Sequence, residues 1–169
     1  MAERIRDARA GDRDAIREVT LAAYGEYATQ MPALWQRYRA NILATLADIA
    51  PAEQIVAEQA GAVVGAVLLY PAGAALPGAE GGRARMPWPQ VRLLAVAPPH
   101  RGRGVGAVLM QECVRRARAA GAPALALHTT ELMRGAVRLY ARLGFVRAPE
   151  LDARVAPTLM VHGYRLDLG

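Results

Sequence analysis

One stretch of this chain limits its fold more than any other: a run of β-type apolar residues that passes straight into a glycine-rich turn and then into a helix. It reads Val91-Arg92-Leu93-Leu94-Ala95-Val96, then Ala97-Pro98-Pro99-His100, then Arg101-Gly102-Arg103-Gly104-Val105-Gly106, with helical periodicity to Ala120. Glycines at alternate positions where a helix begins leave backbone N–H groups bare of side chains. Those donors, with the positive end of the helix dipole, make a site for a phosphate. Two arginines inside the turn, Arg101 and Arg103, favour that reading over a plain connecting turn.

Two familiar phosphate loops fit poorly. A nucleoside-triphosphate loop needs a lysine and a serine or threonine after its last glycine. The chain contains neither lysine nor serine, and Ala107 follows Gly106. The dinucleotide pattern is matched literally by Gly102, Gly104 and Ala107. It also requires an acid at the end of the next strand to hold a ribose. That strand, Pro123 to His128, ends in His128-Thr129-Thr130, and Glu131 comes only at the start of the following helix.

The R-x-x-G-x-G run from Arg101 to Gly106 is preceded by Leu94-Ala95-Val96-Ala97-Pro98 and followed by Leu139-Tyr140-Ala141-Arg142-Leu143-Gly144-Phe145. Together, in this order and spacing, these motifs resemble the GNAT superfamily of acyl-CoA-dependent N-acetyltransferases. The resemblance implies an α/β (α+β) fold in one domain over residues 1–169. Its central sheet is mixed and mostly antiparallel, with about seven strands splayed between the fourth and fifth and about four flanking helices.

The resemblance also implies a site. The amides of Arg101, Gly102, Arg103, Gly104, Val105 and Gly106 take the pyrophosphate of acetyl-CoA, with charge from the two arginines. Main-chain groups of Leu94, Ala95 and Val96 pair with the pantetheine arm, and the Val96 N–H polarises the acetyl carbonyl. Tyr140 matches the family's tyrosine that protonates the departing sulfur. Met133 stands where the family often has asparagine, seven residues before that tyrosine.

Acetyl transfer to an amine also needs a base, and Gln90 to Val96 carries no carboxylate. Glu26, Glu131, Asp152 and His128 are the remaining candidates, beside a water chain. The acceptor side falls to Tyr24, Tyr27, Met31 and Trp88. The implied activity is direct transfer of acetyl from acetyl-CoA to a primary amine. The rivals are a non-catalytic acyl-CoA sensor of the same fold and a dinucleotide-binding protein.

Composition narrows the remaining classes. The net charge is +6, but the arginines are scattered and the few aromatics are not interleaved with them, which argues against nucleic acid as a partner. Cys113 is the single cysteine and falls on the apolar stripe of its helix. His100, His128 and His162 lack tight metal-ligand spacing, so no metal is expected. No apolar run is long enough to span a membrane, and no leader pattern opens the chain, so a cytoplasmic protein is expected. A homodimer is left open.

Along the chain, Ile5 to Ala8 reads as a first strand, and Asp12 as the N-cap of a helix bearing Ile16, Val19, Thr20 and Ala23. Pro32 opens a second helix that Pro51 ends near Ala50. Gln54 to Glu58 and Ala62 to Tyr70 read as a hairpin. Pro71 to Pro89 breaks all periodicity and is expected to be an irregular loop at the acceptor entrance, anchored by Trp88. Thr130 is expected to cap a helix from Glu131 to Leu143 with Leu132, Ala136, Leu139 and Leu143 inward, and Val161 to Leu168 to form the last strand.

Overall fold

A computed structural model describes residues 3–77 and 82–169. It is a mixed α/β fold with four helices and a mostly antiparallel sheet of seven to eight strands. The strands are β1 (Arg4–Asp7), β2 (Glu53–Gln59), β3 (Ala62–Tyr70), β4 (Ala75–Pro77), β5 (Arg83–Arg85), β6 (Gln90–Val96), β7 (Ala124–Thr129), β8 (Val146–Arg147), β9 (Ala153–Ala156) and β10 (Leu159–Asp167). The helices are α1 (Arg13–Gly25), α2 (Pro32–Ala47), α3 (Val105–Ala119) and α4 (Arg134–Arg142). The contacts divide the chain into two compact units, Met1–Leu69 with Leu93–Glu112 and Tyr70–Arg92 with Cys113–Gly169. The chain passes between them within β3, β6 and α3.

In the first unit the strands run β1-β2-β3-β6. The β2–β3 hairpin closes through Ala60 and Gly61, both at positive φ. Ile16 of α1 packs with Val56 and Ala66, and Leu46 of α2 lies against them. Asp12 precedes α1 but makes no side-chain cap. Its carboxylate instead accepts from Arg6 at 2.7 Å and from the Arg9 N–H at 2.7 Å, while Arg6 also reaches Glu58 at 2.6 Å. Arg6 and Asp12 are largely shielded from solvent, so Asp12 is drawn down to about pKa 2, first by Arg6 and then by the Arg9 amide. The ion pair wins because a half-buried arginine must be matched before a helix end is capped.

In the second unit the order is β6-β7-β10-β8, with β9 on the other stretch of β10. The β6–β7 pairing is parallel, Gln90↔Ala126 and Val91↔Leu127, whereas β7–β10 is antiparallel from His162↔Thr129 to Asp167↔Ala124. Cys113 is buried on α3, between Met110 and Ala117 on the buried stripe.

Three expectations are corrected. Pro71 to Pro89 is not free of regular structure, because β4 and β5 pair antiparallel, Ala75↔Arg85 through Pro77↔Arg83. Arg83 and Arg85 reinforce that ribbon by donating to the carbonyls of Ala75 and Gly73; residues 78–81 lie outside the described residues. Helix α4 begins at Arg134 rather than Glu131. Thr130 is buried and caps nothing, its Oγ1 lacking a partner among the described residues, and Leu132 is exposed rather than inward. Finally, α2 stops at Ala47, three residues before Ala50.

Candidate active site

The phosphate-loop candidate grows from the end of β6. Ala97 donates to the Val64 carbonyl at 2.9 Å. In a strand, the polar groups of alternate residues point to opposite edges. Ala95 and Ala97 therefore face β3, and the main-chain groups of Leu94 and Val96 face the other edge. Leu93 interrupts the strand with φ of 52°, a left-handed conformation rare for a branched residue. No sequence signal marks this conformation. Ala95 is buried while Leu94 and Val96 are half-buried.

A short 3-10 turn, Pro98–His100, then carries the chain into the glycine loop. Gly102 and Gly104 take φ of 73° and 86°, which only glycine adopts freely. A Cβ on either would meet no heavy atom within 4 Å, so the surface above both is open. Gly104 accepts from the Val108 N–H at 3.0 Å as α3 starts. The first N–H groups of α3 are thus left for an incoming acceptor. Gly65 of β3 sets the height of this helix: a Cβ there would lie 3.0 Å from Val105 and Leu109 and 3.1 Å from the Ala95 carbonyl. A lone glycine in the strand run Val63-Val64-Gly65-Ala66-Val67 was the available signal for that close approach.

Arg103 is exposed, but Arg101 is engaged. Its guanidinium donates to Glu26 and, at 3.0 Å, to the Ala23 carbonyl at the end of α1. Arg101 therefore ties the loop to α1, a link that sequence reasoning did not reach. Tyr24, next to Ala23, makes a second link, donating its hydroxyl to the Leu94 carbonyl at 3.1 Å. That carbonyl is one of the groups expected to pair with pantetheine. Tyr24 also stacks edge-on with Tyr38, and Tyr27 and Trp35 complete a half-buried group of rings. Tyr27 has its phenol pushed up, first by burial and then by the Glu26 charge. Met31 is buried at the start of α2, a packing position.

The second unit carries the remaining residues. Tyr140 is 6% exposed on α4, its ring 5.9 Å from Phe145, and it is the inward residue where Leu139 is only half-buried. Met133 accepts from Thr129 at 3.3 Å through its sulfur. Trp88 lies under Arg165, 5.4 Å from ring to guanidinium. Among the base candidates, Asp152 is clamped by Arg147 at 2.8 Å and by the Gly163 N–H at 2.8 Å, which hold it well below the carboxylate range. Glu26 is committed to Arg101, and Glu131 is exposed, 3.9 Å from His162. His128 donates through Nε2 to the Leu151 carbonyl at 2.7 Å; burial above all lowers its pKa, so its Nδ1 carries a free lone pair. Among the described residues no group of acids, cysteines and histidines could hold a metal, and no helix is long and apolar enough to cross a membrane.

Comparison with known proteins agrees with the arrangement of loop and strands. The chain is 27% identical to a GNAT family acetyltransferase from Brucella melitensis solved with acetyl-CoA, with TM-score 0.64 over 99% of this chain and 89% of that one. The fold is shared with yncA of Salmonella typhimurium, solved with its cofactor acetyl-CoA, at 22% identity, TM-score 0.65 and coverage of 100% and 95%. In sequence it is 34% identical to the N-alpha-acetyltransferase MAK3 of Arabidopsis thaliana over 61 residues, 36% of this chain and 32% of that protein. The profile of the Acetyltransferase (GNAT) family matches residues 20–145, three quarters of the chain including the β6–loop–α3 segment and Tyr140. The chain belongs to the GNAT family of acetyltransferases.

Proposed function

We propose that this chain, as one acetyltransferase domain in the cytoplasm, moves an acetyl group from acetyl-CoA to a primary amine by direct transfer with both substrates bound. The observation that carries the reading is the open loop: two positive-φ glycines with free space above them, at the first turn of α3. Such a cradle of bare amides fits a pyrophosphate. Arg103 adds charge, while Arg101 holds the loop in place through Glu26 and Ala23.

Acetyl-CoA brings an activated thioester, and the chain supplies the polar groups around it. The Val96 N–H, facing the edge away from β3, donates to the thioester oxygen and stabilises charge as the amine attacks carbon. Tyr140 gives its proton to the sulfur as the carbon–sulfur bond breaks. A thiol has a pKa of about 8.5, so this proton helps a leaving group that is already tolerable. The ammonium proton leaves to water or a neutral base, and no covalent enzyme intermediate is needed. The buried Cys113 is consistent with that. Tyr24, Tyr27, Met31 and Trp88 remain the acceptor-side residues of this proposal.

Calorimetric titration with acetyl-CoA and, separately, with NAD tests the assignment. Saturable acetyl-CoA binding without NAD binding is expected. Tight NAD binding, or none of acetyl-CoA, refutes it.

A further inference from the structure

The second unit holds a polar sheet face that the transfer chemistry does not use. Residues paired across strands share a face, so Gln90, Ala126 and Arg165 form one row across β6, β7 and β10. Two residues on, His128 and Gly163 form the next row, with Arg92 one step past the last paired residues of β6 and β7. Ala126 presents only a methyl between two long polar neighbours.

The hydrogen-bonding capacity of this face is unspent. Gln90 is 1% exposed, yet its Nε2 has no partner among the described residues. A buried amide donor without an acceptor is costly and calls for a ligand. Arg92 is half-buried and lies over the Tyr70 ring, 5.9 Å from its centroid. Among the described residues it makes no hydrogen bond or ion pair. Arg165, by contrast, has its charge matched by Asp167 at 3.0 Å and Glu150 at 3.5 Å, although its Nε makes no hydrogen bond among the described residues. His128, tied through Nε2 to Leu151, contributes no negative charge, and Asp152 is already bound to Arg147. The face thus offers one uncompensated guanidinium and one orphan amide donor, both on β6.

We propose that Gln90 and Arg92 bind a carboxylate on the acceptor, so that the substrate class is an amine that also carries an acid group, such as an amino acid or a peptide with an acidic residue. A carboxylate matches both donors: Arg92 can grip it with two N–H groups, and Gln90 adds a third hydrogen bond. Arg92 lies on the same strand as Val96, four residues earlier, which suits an acid held away from the reacting amine. This inference rests on the acetyltransferase reading, but carboxylate binding is measured without acetyl-CoA and so stands or falls separately.

The test uses amino acids of increasing chain length, each paired with its own amide, titrated into the full chain. At least one acid should bind about tenfold or more tightly than its amide, as expected when a charge-assisted pair is lost. It should also raise the pKa of His128 in NMR titrations, since an anion beside Arg92 favours the imidazolium. Arg92→Gln should abolish both effects and leave acetyl-CoA affinity unchanged. The proposal is overturned if no carboxylate binds, if amides bind as well as acids, or if Arg92→Gln keeps the preference. Loss of acetyl-CoA binding by the parent chain would count against the acetyltransferase reading instead.

Discussion

Gly104→Ala separates the two demands placed on the glycine loop, backbone conformation and an open surface. At φ of 86° an alanine is strained, and nothing lies within 4 Å of its Cβ to add a packing penalty. The stability cost is then the left-handed penalty alone, roughly 1–2 kcal/mol. For a chain of this size that lowers the melting temperature by roughly 2–8 °C. If the loop holds the phosphates as proposed, the effect on acetyl-CoA should be separate and additional, because the methyl would stand where the phosphate oxygens sit and the strained loop would misaim its amides. Losing one hydrogen bond to a charged group costs about 1.5–3 kcal/mol, or roughly tenfold to a hundredfold in affinity. Gly121 supplies the control: its φ is 75°, its Cβ position is equally open, and it follows the far end of α3. Gly121→Ala should melt about as early as Gly104→Ala yet bind acetyl-CoA like the parent. Scanning calorimetry gives the first comparison and titration calorimetry the second. Equal acetyl-CoA affinity in the two variants would refute a phosphate site at this loop.

Other outcomes follow from the same geometry. Tyr140→Phe should keep acetyl-CoA affinity and lower steady-state turnover by roughly tenfold to a thousandfold, the range for a lost general acid; unchanged turnover would make Tyr140 a packing residue beside Phe145. Asp12, depressed to about 2 from 3.8 by Arg6, contributes stability that is complete above pH 3.8 and lost as pH falls through 2, at most roughly 2 kcal/mol. Denaturant melts between pH 5 and pH 2 should therefore show a shallower acid loss in Asp12→Asn, and parallel curves would refute the pairing. Gly163→Ala would place a Cβ 2.3 Å from that of Leu151 and 2.8 Å from the Ala148 carbonyl, so it should destabilise by about 1–3 kcal/mol in urea melts; an unchanged midpoint would show that residues 148–152 yield freely.

The parts legible in the sequence were those where one residue type has no substitute. Gly102 and Gly104 occupy backbone conformations that strain any residue with a Cβ, and the period of Leu109, Cys113 and Ala117 fixes the buried face of α3. The β2–β3 hairpin announced itself through apolar runs around Ala60-Gly61. What stayed hidden depends on partners distant in the chain. Thr130 has the chemistry of a cap, but the chain makes one more turn, closed by the Met133 N–H on the Thr130 carbonyl, before α4 begins, and Thr129 engages Met133 instead. The β4–β5 ribbon is held partly by arginine side chains on backbone carbonyls, a pattern without periodicity. Arg101 resembled a free phosphate ligand because Glu26, its partner, is 75 residues away. Leu93 gives no hint of its left-handed backbone.

The central claim is chemical, so product formation tests it most directly. The full chain is incubated with acetyl-CoA and a panel of primary amines, free thiol is followed by colour, and the amine is analysed by mass spectrometry. The account predicts thiol release that depends on amine concentration, in equal amount to an N-acetylated product. Acetyl-CoA that binds but yields no acetylated amine across the panel, or thiol release matched only by free acetate, would contradict it and favour a chain that senses or hydrolyses the thioester.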